Sequence, residues 1–192
     1  MKKEQIIEVA RELFHKYGFK KVSMDEIAKS ANVTKKTIYS YFKSKEELLE
    51  YFIQEEILNM KKIVENVEKK NLDFFETINL ATYNLLKYRK SKDFLKTITK
   101  EAELLKNPAI LKNLELIDSK IQEFIKEKLE HAKDNGYIYY HDLDITAFLV
   151  YKMYISLMFE WNDNDKKIDE QMIANSISEI IKNGLRKGDK NE

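Results

Sequence analysis

The sequence predicts an all-α protein of about nine helices, and three observations carry that expectation. Among 192 residues there are only four Gly and one Pro, so few positions can break a helix or form the tight turns an all-β chain needs. Apolar residues recur at three- and four-residue steps through nearly every long window, the period of one helix face. Short polar segments carrying capping residues separate those windows at helix-length intervals. The 43% hydrophobic and 35% charged residues supply a core and argue against wholesale disorder.

The elements follow in order. Ile6, Val9, Ala10, Leu13, Phe14 and Tyr17 make the apolar face of a first helix, and Gly18 stands where a C-cap needs positive φ. Ser23-Met24-Asp25-Glu26 is a capping box that opens a short helix with Ile27, Ala28 and Ala31 turned inward. Asn32 occupies the turn, where Asn tolerates left-handed backbone better than other non-Gly residues. Thr34 caps a third short helix carrying Ile38, Tyr41 and Phe42.

A second capping box, Ser44-Lys45-Glu46-Glu47, starts a longer helix whose stripe is Leu49, Phe52, Ile53, Ile57, Met60, Val64 and Val67. At 1.5 Å per residue that helix is roughly 40 Å long. Five more helices are expected near 72–90, 92–105, 108–135, 143–161 and 168–187. Asn107-Pro108 marks a helix start, Asn135-Gly136 a stop, and Asn162 to Asp165 the last turn. The expected division is residues 1–47, with a helix-turn-helix motif at about 24–43, and a larger helical domain at 48–192.

Composition also closes off several chemistries. The absence of Cys removes disulfide scaffolds, thiolate metal sites and Cys nucleophiles, and it fits a reducing cytosol. The N-terminus runs into an amphipathic pattern and not a signal-peptide apolar block. The most apolar stretch, 143–161, is interrupted by Asp144, Lys152 and Glu160, which leaves no membrane span. A cytoplasmic location is expected. No Gly-rich phosphate loop, G-x-S-x-G elbow or H-E-x-x-H pair occurs, so neither enzyme activity nor a metal cofactor is expected.

The formal net charge is +1, which taken alone speaks against nucleic acid. Its distribution reverses the inference. Across residues 15–45 there are eight Lys and only Asp25 and Glu26 as acids. That is +6 locally and −5 over the remainder. A basic surface centred on a short helix that follows a capped helix and a turn is the footprint of duplex DNA binding.

Leu13-Phe14 through Gly18-Phe19, then Val22 to Ala28, then Ala31-Asn32-Val33-Thr34-Lys35-Lys36-Thr37-Ile38-Tyr39-Ser40-Tyr41-Phe42-Lys43-Ser44-Lys45-Glu46-Glu47-Leu48 resemble the TetR family of transcriptional regulators. The resemblance implies that Thr34, Lys35, Lys36, Thr37 and Ser40 face base edges, where hydroxyls and Lys can serve. It implies that Tyr39 and Tyr41 lie against the sugar-phosphate backbone, that Lys45 grips a phosphate, and that Lys43 lies close by. Ser23 and the amides after it can hold another phosphate. Two residues depart from the family pattern: Asn32 replaces the commoner Gly, and Lys36 a usually small residue.

Beyond about residue 50 the likeness is one of layout and length. The helix near 143–161 is apolar at 14 of 20 positions counted from Asp142, so it must be covered on more than one side. Paired with the helix near 168–187, it is expected to form a four-helix bundle between two subunits, which is also the family's usual dimer interface. Phe148, Tyr151, Ile155, Phe159, Met172, Ser176, Ile177 and Ile180 are the expected contacts. A twofold homodimer reads an inverted-repeat operator. The resemblance further implies a small-molecule effector that releases a repressor from DNA. Tyr83, Tyr88, Tyr151, Tyr154, Met158 and Trp161 are candidate lining residues, since polar-tipped aromatics and Met suit an adaptable apolar pocket. The alternative keeps DNA binding and replaces the small ligand with a protein partner or with none.

Overall fold

The computed structural model describes residues 2–90, 108–139, 142–159 and 169–185. These residues form eight helices and no β-strand: α1 (Lys2–Tyr17), α2 (Met24–Ser30), α3 (Lys35–Tyr41), α4 (Lys45–Glu68), α5 (Phe74–Lys90), α6 (Pro108–Asp134), α7 (Leu143–Phe159) and α8 (Glu170–Leu185). The all-α expectation is met. The helix expected at 92–105, the turn at 162–165, Trp161 and Asn107 lie outside the described residues, as do the side chains of Met158 and Phe159.

The chain divides into two compact units. The first holds residues 1–58 together with the start of α6 as far as Ile117, and the second holds Asn59–Lys90 and the residues from Asp118 onward. Both α4 and α6 therefore contribute residues to each unit.

In the first unit, one face of α1 buries Ile6, Ala10 and Phe14 against Ile27, Ile38, Leu48, Leu49 and Phe52. Phe14 lies 5.2 Å from Phe19 and 6.1 Å from Phe52, centroid to centroid, in tilted and edge-on arrangements. Burying each such ring contributes up to about 3 kcal/mol. Three short elements thus acquire one shared core, which none could form alone. An ion pair closes it at the side. Arg11 pairs with Glu55 and, at 3.4 Å, with Glu56. Its guanidinium lies 4.6 Å from the Phe52 centroid, and Glu56 is only 4% exposed.

Turn chemistry follows the expected residues at three points. Gly18, Asn32 and Gly136 all have positive φ, at 83°, 49° and 73°. The expected second capping box differs in one bond. The Glu47 amide donates to Ser44 Oγ at 3.2 Å, but the Glu47 carboxylate accepts from the Lys43 amide and not from that of Ser44. The helix start is capped either way, because the Glu47 amide in the first turn finds its acceptor in Ser44 Oγ.

In the second unit, Leu86 of α5 packs with Ile173, Ala174, Ile177 and Ile181 of α8, and Ser178 Oγ donates to the Phe75 carbonyl at 3.3 Å. A neighbouring cluster joins Leu129 and Ala132 of α6 to Ile138 and Ala147. Two residues expected between subunits are buried inside the protomer. Tyr151 donates its hydroxyl to Asp118 Oδ1, and Ile177 belongs to the α5–α8 core.

Candidate nucleic-acid interface

Four local devices build the reading head. Ser23 is the N-cap of α2 in extended conformation. The Glu26 amide donates to Ser23 Oγ at 3.2 Å, while the Ser23 amide donates to Glu26 Oε2 at 2.8 Å. Ser23 Oγ also donates to Glu26 Oε2 at 2.8 Å, and this side-chain bond first, then the one from the Ser23 amide, holds the Glu26 carboxyl below its ordinary pKa. The turn closes behind α2: the Ala31 amide donates to the Ile27 carbonyl at 2.8 Å, Asn32 to Lys29 at 3.1 Å, and Val33 to Ala28 at 2.9 Å. Only the left-handed backbone at Asn32 lets the chain reverse within so few residues.

Thr34 then caps α3, accepting from the Thr37 amide at 3.1 Å. Ile38 is fully buried and Phe42 nearly so, anchoring α3 by one edge. The opposite surface exposes Lys35, Lys36, Tyr39 and Ser40, with Thr34 before them and Tyr41 and Lys43 after. Thr37 is half-buried. Tyr39 and Tyr41, at 48% and 42% exposure, are surface and not core. A seven-residue helix held by one buried edge and displaying cations and hydroxyls is shaped to enter a major groove.

Several of these side chains are engaged within the protein. The Thr34 and Thr37 hydroxyls lie 2.9 Å apart, and Ser40 Oγ donates to the Thr37 carbonyl at 2.6 Å. Lys35 Nζ is 2.5 Å from Asp25 Oδ2. That bond and the charge behind it raise the Lys35 pKa. Lys45 turns inward: its Nζ donates to the carbonyls of Phe19, Lys20 and Val22 at 3.0, 3.2 and 3.2 Å. Lys36 and Lys43 make no ion pair among the described residues. Neither the Asp25 partner of Lys35 nor the Arg11 pairing with Glu55 and Glu56 is legible in the sequence. Spacings of 10, 44 and 45 residues leave no periodic signal.

Residues 6–52 match the family model described as bacterial regulatory proteins, tetR family. Over 184 residues the chain is 32% identical to the uncharacterized HTH-type transcriptional regulator YhgD of Bacillus subtilis (strain 168), covering 96% of each chain. The chain belongs to the TetR family. It is thus a DNA-binding transcriptional regulator of helix-turn-helix type. It is also 28% identical to the fatty acid metabolism regulator protein of the same bacterium, with 94% of each chain covered. The crystal structure of the transcriptional regulator FadR from Bacillus subtilis in complex with stearoyl-CoA has the same fold, with a TM-score of 0.76 at 23% identity over 95% of this chain and 99% of that one.

Among the described residues no helix is long and apolar enough to cross a membrane. No group of three or more His, Asp or Glu side chains there could hold a metal ion.

Proposed function

We propose that the chain is a cytoplasmic homodimeric repressor, with no enzymatic activity, that binds an inverted-repeat operator and leaves it when a small-molecule effector enters the helical domain. The observation that carries the reading is the exposed surface of α3, capped by Thr34 and set in a region of +6 charge. Thr34, Lys35, Lys36, Thr37 and Ser40 read base edges. Tyr39, Tyr41, Lys43 and the amides at Ser23 meet phosphates. Residues 1–47 form the DNA-binding domain and 48–192 the effector and dimerisation domain.

The dimer part rests on exposed apolar side chains. On α7, Ile145, Phe148 and Leu149 are exposed, and on α8 Met172 and Ile180, at 65% and 58%, are more exposed than most apolar side chains. Five large apolar residues on two helices are costly in water and call for a partner. A twofold four-helix bundle adds Ser176 and Ile155 to that contact.

The effector part rests on Tyr83, Tyr154, Met153 and Leu157, which pack around the α5–α8 core. Tyr88 accepts from Asn59 Nδ2 at 3.2 Å. Acyl-CoA thioesters are the first class to test, since a relative is named for fatty acid metabolism and a protein of the same fold was crystallised with stearoyl-CoA. A mobility shift on the chain's own upstream DNA, with and without an acyl-CoA series, tests both halves. Expected are a specific complex at physiological salt and its loss on addition of one chain length. Equal binding to random and upstream DNA overturns the repressor reading. Retention of the complex with every acyl-CoA, together with no thermal stabilisation by any, removes this effector class.

A further inference from the structure

We propose that Lys45 is a positioning residue of the reading head, spending its ammonium on the segment between α1 and α2 instead of on a DNA phosphate. An ammonium has three hydrogens. Those of Lys45 meet three main-chain carbonyls, of Phe19, Lys20 and Val22, at 3.0, 3.2 and 3.2 Å. The same group lies 4.7 Å from the centroid of the fully buried Phe19 ring. No proton remains for a phosphate without breaking one of these bonds, and each is charge-assisted.

The location of Lys45 sharpens the point. It is the first residue of α4, where the positive end of the helix dipole disfavours a cation. Three carbonyl oxygens from another part of the chain supply the compensating negative charge. The segment they belong to leads from Gly18 directly into Ser23, the N-cap of α2. Tying it to the start of α4 therefore fixes where α2 begins, and through α2 and the Asn32 turn it fixes the direction of α3. Lys45 also acts electrostatically on Glu26, the other half of that cap. Specificity and affinity then depend on Lys45 through geometry.

The inference rests on the DNA-binding reading for its affinity readout, but its first measurement needs no DNA. Lys45→Met keeps the stem over Phe19 and removes the donors. In the DNA-free protein, amide exchange at Val22 to Glu26 should speed up at least about ten-fold, the signature of a loosened local unit. With operator DNA, affinity should fall while the slope of log affinity against log salt stays as in the unsubstituted protein. Lys43→Ala provides the contrast, with unchanged exchange and a slope reduced by about one.

A phosphate ligand behaves oppositely: Lys45→Met would reduce the slope by about one and leave exchange in the free protein unchanged. That result overturns the proposal. Lys45→Arg decides the matter should the Met variant not fold. A guanidinium serves a phosphate at least as well as an ammonium, but its planar fork cannot direct three protons at these three carbonyls. Faster exchange in Lys45→Arg supports positioning, and full protection with full affinity refutes it. Failure of the unsubstituted protein to bind any operator would remove the repressor reading and leave the exchange test of Lys45 intact.

Discussion

Replacing Arg11 by Met should destabilise the first unit far more than its surface position on α1 suggests. Arg11 is the cation opposite Glu55 and Glu56, with side-chain exposures of 29% for Arg11 and 5% for Glu56. Removing one partner of a buried pair costs about 3–5 kcal/mol, because the remaining charge stays desolvated. Here the guanidinium retains some water, so the cost falls to about 2–3 kcal/mol, typical of a charged hydrogen bond. Loss of the Arg11–Phe52 contact, 4.6 Å from the centroid, adds about 0.5–1 kcal/mol.

For a chain of this length the combined loss of about 2.5–4 kcal/mol corresponds to a drop in Tm of roughly 5–16 °C. The assay is thermal and urea unfolding by far-ultraviolet circular dichroism at one fixed protein concentration, so that any dimer contributes equally. Arg11→Met combined with Glu56→Leu should recover more than half of the loss, since a buried pair exchanged for apolar side chains is often close to neutral. A single variant within about 0.5 kcal/mol of the unsubstituted protein, the range of an ordinary surface change, would refute the reasoning. So would a double variant whose cost equals the sum of the two singles.

Three further outcomes follow from the same geometry. Asp25→Asn frees the Lys35 ammonium; because both side chains are more than half exposed, stability should stay within the error of the unfolding measurement, while base preference at the operator shifts, read by competition among single-base variants. The Glu26 carboxyl has a folded-state pKa below its unfolded value. The capping contribution is therefore fully present above the unfolded pKa and is lost as pH falls through the folded one. Acid titration of stability should fall less steeply in Glu26→Gln than in the unsubstituted protein, and parallel curves would contradict this. Ile180→Asp places a charge on the exposed face of α8 and should convert a dimer to a monomer in light scattering at micromolar concentration, with specific DNA binding lost and helix content kept.

What the sequence made legible is local in the chain. Helix starts at Ser23 and Thr34, and the turn at Asn32, depend on residues within four positions of one another, and all three stand as expected. The core face of the reading head was legible for the same reason: Ile27, Ala28, Ile38 and Phe42 recur at helical spacing and are buried. Contacts between residues far apart in the chain were not legible. Nothing in the pattern distinguishes Tyr151 and Ile177, buried within the protomer, from Phe148 and Met172, exposed on it. An apolar helix face does not say which neighbour covers it.

The same limit applies to the charge count that first pointed to DNA. It treats eight Lys as equivalent, whereas the fold divides them by what lies within reach of each ammonium. Lys45 is taken up by three carbonyls 23 to 26 residues away, and Lys35 by a carboxylate on α2. Lys36 and Lys43 are exposed. The long-range field that steers the protein to DNA depends on the total and survives this division. The number of phosphates neutralised on contact depends on the ammonium groups left over, and it sets the salt slope. A measured slope should therefore be smaller than a count of one phosphate for each Lys near α3 would give. Removing Lys36 or Lys43 should lower it, whereas removing Lys45 should lower affinity alone.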